Sequence, residues 1–220
     1  MIERETTTRS RGPWALAGSV KPYHRHVFVC TGRTSWPERL EDEEGLLGTM
    51  ASDVRGLRDA EGAVPKLTAT DEPSSSDAGF DLLVFPEAVR YRRVDAAGWR
   101  AVLEGHLLGG EPAPGVDREP LPGRHLFVCV HEARDERCGR CGPPLLDAVS
   151  GAVAAAGLAD VAVRATSHVG GHKYAGNVLV YPEGVWYGYA RPEDAGRIVR
   201  EHLVEGRILE DLHRGSMLER

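Results

Sequence analysis

A tandem duplication is the feature that most constrains how this 220-residue chain can fold. Residues 68–110 align without a gap with residues 164–206, at a constant offset of 96 positions. Upstream of this block, His125–Cys129 repeats His26–Cys30 almost letter for letter. A single duplication of this length predicts two copies of one supersecondary unit, rather than a long solenoid.

Each copy shows the same order of predicted elements, which is strand, helix, three strands and helix. Apolar and β-branched runs mark the strands, and prolines early in two helices occupy positions where a missing N–H does no harm. In the first copy the predicted strands are 26–30, 64–70, 80–85 and 88–93, with helices at about 46–58 and 96–108. In the second copy they are 125–129, 161–166, 177–181 and 185–190, with helices at 143–156 and 192–204. This order predicts an α/β protein, a tandem duplication of a thioredoxin-like domain.

The predicted domain organisation follows from this duplication. Residues 1–23 are polar and aperiodic and are interpreted as an N-terminal arm, followed by a first thioredoxin-like domain at 24–110. Residues 111–123 contain four prolines and are interpreted as a linker, and the second domain covers 124–220. The first domain is predicted to be a degenerate scaffold copy, since His168 and His172 of the second copy align with Glu72 and Ser76.

Composition and charge exclude several classes of protein. Apolar residues make up 41% of the chain, and its net charge of −6 argues against a nucleic-acid partner held through phosphates. No apolar run approaches the roughly 18 residues that span a membrane. The first five residues include two acids and no apolar segment, so a secretory signal is not expected. We therefore expect a cytoplasmic protein, although Arg4 and residues 6–11 leave organellar targeting open.

Histidine and cysteine clusters in the second copy predict a metal site. His168 and His172 stand four residues apart around the pair Gly170-Gly171. Adjacent glycines disfavour a helix, so this segment is predicted to be a loop between two strands that curls around a ligand. Cys129, Cys138 and Cys141 lie about thirty residues upstream. In a chain without an export signal, such clustering indicates metal binding or thiol chemistry rather than a disulfide framework.

Spacing alone leaves two ligand sets open. Cys138-x2-Cys141 with His168-x3-His172 has the outline of a structural zinc site. Cys129 and Cys138 with the same histidines form the other set, with Cys138 in a predicted loop before the helix. Against Cys129, its counterpart Cys30 suggests a small buried apolar residue. A Cys138/Cys141 redox dithiol would leave the histidines unexplained. His131 is a weaker ligand candidate, since no spacing rule selects it.

Three segments of the second copy closely resemble the sucrase/ferredoxin-like family, which includes thioredoxin-like [2Fe-2S] proteins. The segments are 127–139, 167–177 and 186–188, and the first copy resembles plant-type members more weakly at 35–37 and 85–87. In that family a C-x8-C and an H-x3-H motif hold the cluster. The resemblance therefore implies that Cys129, Cys138, His168 and His172 bind a [2Fe-2S] cluster, with Cys141 a bystander.

The resemblance implies one-electron transfer or redox sensing, coupled to protons through the histidine ligands and directed to an unidentified redox partner protein. No G-x-G-x-x-G dinucleotide fingerprint follows a strand, which favours an electron-transfer protein over a self-contained enzyme. No pair of carboxylates suggests glycoside chemistry. Two alternatives remain, a structural zinc-binding interaction module and a thiol oxidoreductase that uses Cys138 and Cys141.

Overall fold

The computed structural model describes residue 12 and residues 14–58 and 64–217. Part of the predicted N-terminal arm, residues 1–11 and 13, lies outside the described residues. The rest of the arm packs against the second copy, because the Tyr23 amide donates to the carbonyl of Met217 and the Ser19 amide to that of Arg214. Tyr23 is fully buried. The described part of the arm is therefore part of the folded body.

The first copy forms five strands and two helices. In chain order these are β1 (His26–Cys30), α1 (Leu46–Val54), β2 (Lys66–Thr70), β3 (Phe80–Phe85), β4 (Val89–Val94), α2 (Ala96–Ala101) and β5 (Arg118–Pro120). Helix α2 continues as a π-helix over Val102–Leu108. Asp95 caps α2, since its carboxylate accepts a hydrogen bond from the Gly98 amide at 2.8 Å.

The second copy repeats this arrangement. Its elements are β6 (Arg124–Cys129), α3 (Glu136–Ala155), β7 (Val161–Thr166), β8 (Val178–Tyr181), β9 (Val185–Tyr187), α4 (Ala195–Arg197) and β10 (His213–Ser216). Helix α4 follows a short 3-10 turn and continues as a π-helix over Ile198–Val204. The two copies thus share even the π-helical end of their closing helix. No described helix combines the length and the apolar character that crossing a bilayer requires.

The described strands form one ten-stranded sheet in the order β10-β9-β8-β6-β7-β2-β1-β3-β4-β5. In each copy the first strand pairs in parallel with the second and antiparallel with the third. The copies join between β2 and β7, whose antiparallel ladder consists of the pair Thr70 and Thr166 among the described residues. These threonines are equivalent positions of the repeat, so the sheet is nearly symmetric about its middle.

The two half-sheets pack face to face, and the helices cover their outer faces. Alternate residues of β1 point to opposite sides, so that Val27 and Val29 pack with α1 and α2 while Phe28 packs in the middle. The residues of strand β6 alternate in the same way, and Phe127 packs between the two half-sheets. The central layer therefore contains equivalent residues of both copies, and the mixed α/β fold with a thioredoxin-like unit in each half agrees with the sequence prediction.

Several predicted boundaries were wrong. The helix expected at Pro143 begins at Glu136, because Asp135 accepts a hydrogen bond from the Arg137 amide and starts the helix earlier. Helix α1 ends at Val54, and β9 ends at Tyr187 because Tyr189 has a positive φ of 52°. The stretch 111–123, expected to be a linker, contains β5, which pairs with β4 at the sheet edge.

Candidate metal centre

Three of the four predicted ligands lie together at one end of the central layer. Cys129 ends β6, Cys138 lies in the first turn of α3, and His168 follows β7. One candidate ligand atom from each residue lies within 4.8 Å of the other two. Both cysteines are fully buried and His168 is partly buried. A thiol pair and an imidazole at this spacing, screened from water, form a possible metal site.

A glycine allows the first turns of α3 to reach the end of β6. A Cβ atom at Gly142 would lie 2.3 Å from the carbonyl oxygen of Cys129 and 2.9 Å from the Cα atom of Val130. Both atoms are backbone, so they cannot move aside as a flexible side chain would. The absence of a side chain at Gly142 therefore sets the close approach that brings Cys138 to Cys129.

His168 is oriented through its backbone by another histidine. The amide of His168 donates to Nδ1 of His131 at 3.0 Å, so Nε2 of His131 carries the ring proton. That Nε2 lies 2.9 Å from the carbonyl oxygen of Pro37 and 3.2 Å from that of Trp36. Both ring nitrogens of His131 are thus engaged, which removes it as a ligand candidate and makes it a bridge between the two copies.

The ring of His168 itself has an unsatisfied nitrogen. Its Nδ1 atom is buried and has no hydrogen-bond partner. A buried polar atom without a partner is costly in a native structure, so a ligand is expected at this position. A bound metal would satisfy it, so the residues fit a metal or cluster at this place.

His172 lies beside His168, toward solvent. It begins a 3-10 turn, His172–Tyr174, and follows Gly171, whose left-handed backbone has φ 72°. The two imidazole rings are stacked with centroids 5.7 Å apart, and the His172 side chain is 49% exposed. Its Nδ1 is 3.7 Å from a carboxylate oxygen of Asp135. His172 therefore lies next to the three grouped residues, at the edge that faces solvent.

The two thiols form a hydrogen bond with each other. Hydrogen bonding with Cys138 lowers the pKa of Cys129, and the same contact, together with burial, raises the pKa of Cys138. Two negative charges at this distance would be unfavourable without a cation between the two sulfur atoms. A metal supplies that cation, which is a second respect in which the residues fit it.

Cys141 lies one turn further along α3 and is not part of the group of Cys129, Cys138 and His168. Its thiol is partly exposed. The thiols of all four cysteines are free. Of the two ligand sets that spacing left open, the structure thus brings together three members of the one with Cys129, while His172 lies beside them. The buried position and raised pKa of Cys138 also disfavour its action as a nucleophilic thiol.

Charged residues around the centre pair with one another. Arg137 forms two hydrogen bonds to Asp135 at 2.9 Å, and this contact is the main reason why the pKa of Asp135 falls to about 2. Arg134 lies 3.1 Å from Glu38 of the first copy. These charges therefore have carboxylate partners within the protein, as ordinary loop charges do.

The corresponding place in the first copy is filled by ion pairs. Glu72 aligns with His168, and Arg90 lies between it and Asp81 at 3.2 Å and 2.7 Å. Arg164 also contacts Glu72. Cys30, the counterpart of Cys129, is buried, and its pKa is raised by that burial. A salt-bridge network thus occupies the place where the second copy has its cysteines and histidines.

Three residues support the centre in roles that the sequence did not predict, namely His131, Asp135 and Gly142. Asp135 is a typical N-cap residue, and the sequence therefore carried a signal for a helix that begins next to it. Two nearby glycines and two prolines nevertheless favoured the prediction of a later helix start. Nothing in the sequence distinguishes His131 from the other histidines, since its role depends on a contact with residues 36 and 37 of the other copy.

The fold and the site define an α/β protein built from a duplicated thioredoxin-like unit, with a possible Cys/His metal site in the second copy. The model of the sucrase/ferredoxin-like family matches residues 16–215. The chain belongs to that family.

Similar proteins include three yeast relatives, each named altered inheritance of mitochondria protein 32. The protein from Clavispora lusitaniae is 46% identical over 102 residues, which cover 45% of this chain and 37% of the relative. That from Debaryomyces hansenii is 41% identical, over 42% of this chain and 35% of the relative. That from Kluyveromyces lactis is 27% identical, over 92% of this chain and 77% of the relative. The first two matches thus span little more than a third of those proteins.

A solved structure is also similar. The thioredoxin-like [2Fe-2S] ferredoxin from Aquifex aeolicus matches with 26% identity and a TM-score of 0.40. The match covers 43% of this chain and 93% of the ferredoxin.

Proposed function

We propose that this protein is a one-electron carrier or redox sensor that binds a [2Fe-2S] cluster through Cys129, Cys138, His168 and His172. The observation that carries the proposal is the buried grouping of two thiols and an imidazole within 4.8 Å, with an unsatisfied nitrogen on His168. Membership of the sucrase/ferredoxin-like family supports the choice of an iron–sulfur cluster over a single ion.

The donor set suits such a cluster. Thiolates and imidazoles together hold [2Fe-2S] clusters, and exchange of two thiolates for two histidines raises the reduction potential. When bound, the cluster supplies reversible uptake of a single electron. Cys129 and Cys138 would supply the buried sulfur side of the site, where both would bind as thiolates.

The protein residues decide where an electron can enter or leave. Cys129 and Cys138 are buried, whereas His172 is half exposed, so a redox partner protein approaches most closely at the His172 edge. His131 and the stacking of His168 on His172 hold this edge in place. The proposal therefore assigns the histidine side of the site to electron exchange and the cysteine side to retention of the cluster.

The proposal is tested on the full chain, purified anaerobically and reconstituted with iron and sulfide. We expect visible absorption, about two iron and two sulfide per chain, and a paramagnetic signal on reduction. Cys129→Ser, Cys138→Ser and His168→Ala should lose iron, whereas Cys141→Ser should retain it. A colourless protein with stoichiometric zinc would instead support a zinc module, and a metal-free protein that reduces disulfides would support a thiol oxidoreductase.

One substitution separates a ligand from a neighbour. His172→Cys keeps a metal-binding atom at this position but replaces a neutral donor with an anionic one. If His172 is a ligand, the variant should retain its iron, change its visible spectrum and have a lower reduction potential. An unchanged spectrum and potential would contradict ligation by His172 while leaving the other three assignments intact.

A further inference from the structure

A cavity of about 450 Å³ borders the loop that carries His168 and His172. The segment Ser19–Lys21, the loop 169–174 and Arg214 of β10 contribute to its wall. Four of its lining residues are cationic, namely Lys21, Lys66, Lys173 and Arg214, and none of the described residues that line it is acidic. In a chain of net charge −6, this concentration of positive charge is a local exception.

Aromatic rings support the inner cations, and no carboxylate of residues 14–58 or 64–217 forms an ion pair with them. Nζ of Lys66 lies 5.4 Å from the centroid of Trp186 and 5.5 Å from that of Tyr23. The guanidinium of Arg214 lies 4.5 Å from the centroid of Tyr174. Contacts of this kind stabilise a cation without neutralising it. The positive charge therefore remains available to a ligand.

The lack of a negatively charged partner is clearest at Arg214. It is 3% exposed, and its guanidinium donates to Oδ1 of Asn177 at 2.7 Å and to the hydroxyl and carbonyl oxygens of Ser19 at 3.0 and 3.3 Å. All of these acceptors are neutral. Among the described residues, no carboxylate lies within ion-pair distance of Arg214. By contrast, the less buried Arg197 contacts two oxygens of Asp211 at 2.9 and 3.0 Å.

A buried charge without a counter-charge is unfavourable, and the pKa values show this cost. Burial is the main cause that lowers the pKa of Arg214 to about 10. Burial, followed by repulsion from Arg214 and Lys21, lowers the pKa of Lys66 to about 8. An anion within the cavity would remove this cost, because it pairs with several cations at once.

Gly171 shapes the wall of the cavity. A Cβ atom at Gly171 would lie 2.3 Å from a guanidinium nitrogen of Arg214, and the left-handed φ of 72° at this position also favours glycine. The same loop continues into His172. Gly171 therefore connects the candidate metal centre, through His172, with the cationic cavity, through Arg214.

We propose that this cavity is a binding site for a phosphate-class anion, held by Lys66, Lys173 and Arg214. Its volume exceeds the needs of a single phosphate and lies in the range of small-molecule sites, so the fitting ligands are pyrophosphate and organic phosphates. The inference is independent of which metal the neighbouring centre holds, because the residues that carry it are not the predicted ligands.

The test is calorimetric titration of the full chain with pyrophosphate at constant ionic strength, with chloride as the competing anion. We expect saturable binding at one site per chain, and Lys66→Gln should weaken it by about tenfold, as expected for the loss of one charge-assisted contact. Lys173→Gln should also weaken it. Arg100→Gln, on the exposed face of α2 in the first copy, is the matched control and should bind as the parent does.

Two arms distinguish free phosphates from a lipid headgroup. Vesicles of phosphatidylcholine with phosphatidic acid are compared with vesicles of phosphatidylcholine alone. Vesicle binding that pyrophosphate displaces, and that Lys66→Gln weakens, assigns the same site to a headgroup. Absence of saturable binding in both arms, or equal weakening by Lys66→Gln and Arg100→Gln, overturns the proposal.

Discussion

Phe28 and Phe127 stack in the middle of the protein with ring centroids 3.6 Å apart and ring planes 10° from parallel. They are equivalent residues of the two copies, third in His26–Cys30 and third in His125–Cys129. Phe85 and Tyr181, also equivalent, stack beside them at 4.5 Å. The copies thus recognise each other through their own equivalent residues, in the manner of a twofold dimer joined in one chain.

This stacking predicts that the central layer dominates stability. Phe127→Ala removes a fully buried ring between the half-sheets and should lower the free energy of unfolding by about 3–5 kcal/mol. Urea denaturation measures the change. Val204→Ala, which truncates a side chain that is 60% exposed, is the control and should change stability by less than about 0.5 kcal/mol. Similar losses for the two variants would contradict a tightly packed central layer.

Two glycines of α3 should respond in opposite ways to substitution by alanine. Gly142→Ala places a Cβ atom against the backbone of Cys129, which should cost about 1–3 kcal/mol of stability and separate Cys138 from Cys129. Metal content and thermal unfolding report both effects. Gly151→Ala, in the same helix with no atom within 4 Å of its Cβ position, should be stabilising by up to about 1 kcal/mol. Loss of metal in Gly151→Ala would show that the close approach is not the cause.

His131 should matter more than the exposed ion pair that joins the same two segments. His131→Ala leaves the His168 amide and the Pro37 carbonyl without their partner, at a cost of about 1–3 kcal/mol. Arg134→Ala removes the contact with Glu38, whose side chain is 66% exposed, and should cost less than about 1 kcal/mol. Chemical denaturation of both variants tests this order, and a larger loss for Arg134→Ala would reverse our interpretation of the bridge.

Asp81 should make the protein sensitive to acid. Burial alone would raise the pKa of this fully buried carboxylate, but hydrogen bonds from the Arg93 amide, Arg90 and Ser75 outweigh it, so its pKa is lowered. A lowered pKa contributes stability above the unfolded value of about 4, and this contribution is lost as the pH falls through the folded value. Unfolding free energies measured from neutral pH to about pH 3 should therefore fall more steeply for the parent than for Asp81→Asn.

The control for the acid experiment is Asp117→Asn, since the side chain of Asp117 is 53% exposed and pairs with Arg93 only at the surface. Its pH profile should follow that of the parent. Equal profiles for all three proteins would mean that the buried carboxylate does not contribute to acid sensitivity.

The repeat could be predicted from sequence because both copies kept the apolar residues that define their strands. Strands β1 and β6 together have all but one of their residues buried. A continuous apolar run of this kind shows that both faces of a strand are covered, but not which elements cover them. The face-to-face packing of the copies therefore could not be derived. Strands β5 and β10 were missed because short polar edge strands have no apolar alternation.

The site could be predicted as far as residue types and spacing reach. Cys129, Cys138 and His168 were predicted together and lie together, although spacing alone did not separate Cys129 from Cys141. That choice depends on how close α3 comes to β6, which the side-chain volume at position 142 decides. Arg214 carried no signal, because it meets the cavity only through strand pairing at the far edge of the sheet.

The ion pairs around Glu72 limit how the first copy can be re-engineered. Arg90 lies between Glu72 and Asp81, so a permanent positive charge is fixed where an incoming metal cation would have to bind. Grafting cysteine and histidine onto the first copy leaves this repulsion in place. A designer who wants two centres in one chain must replace Arg90 and its carboxylates together, since removal of either partner alone leaves a buried charge without a counter-charge.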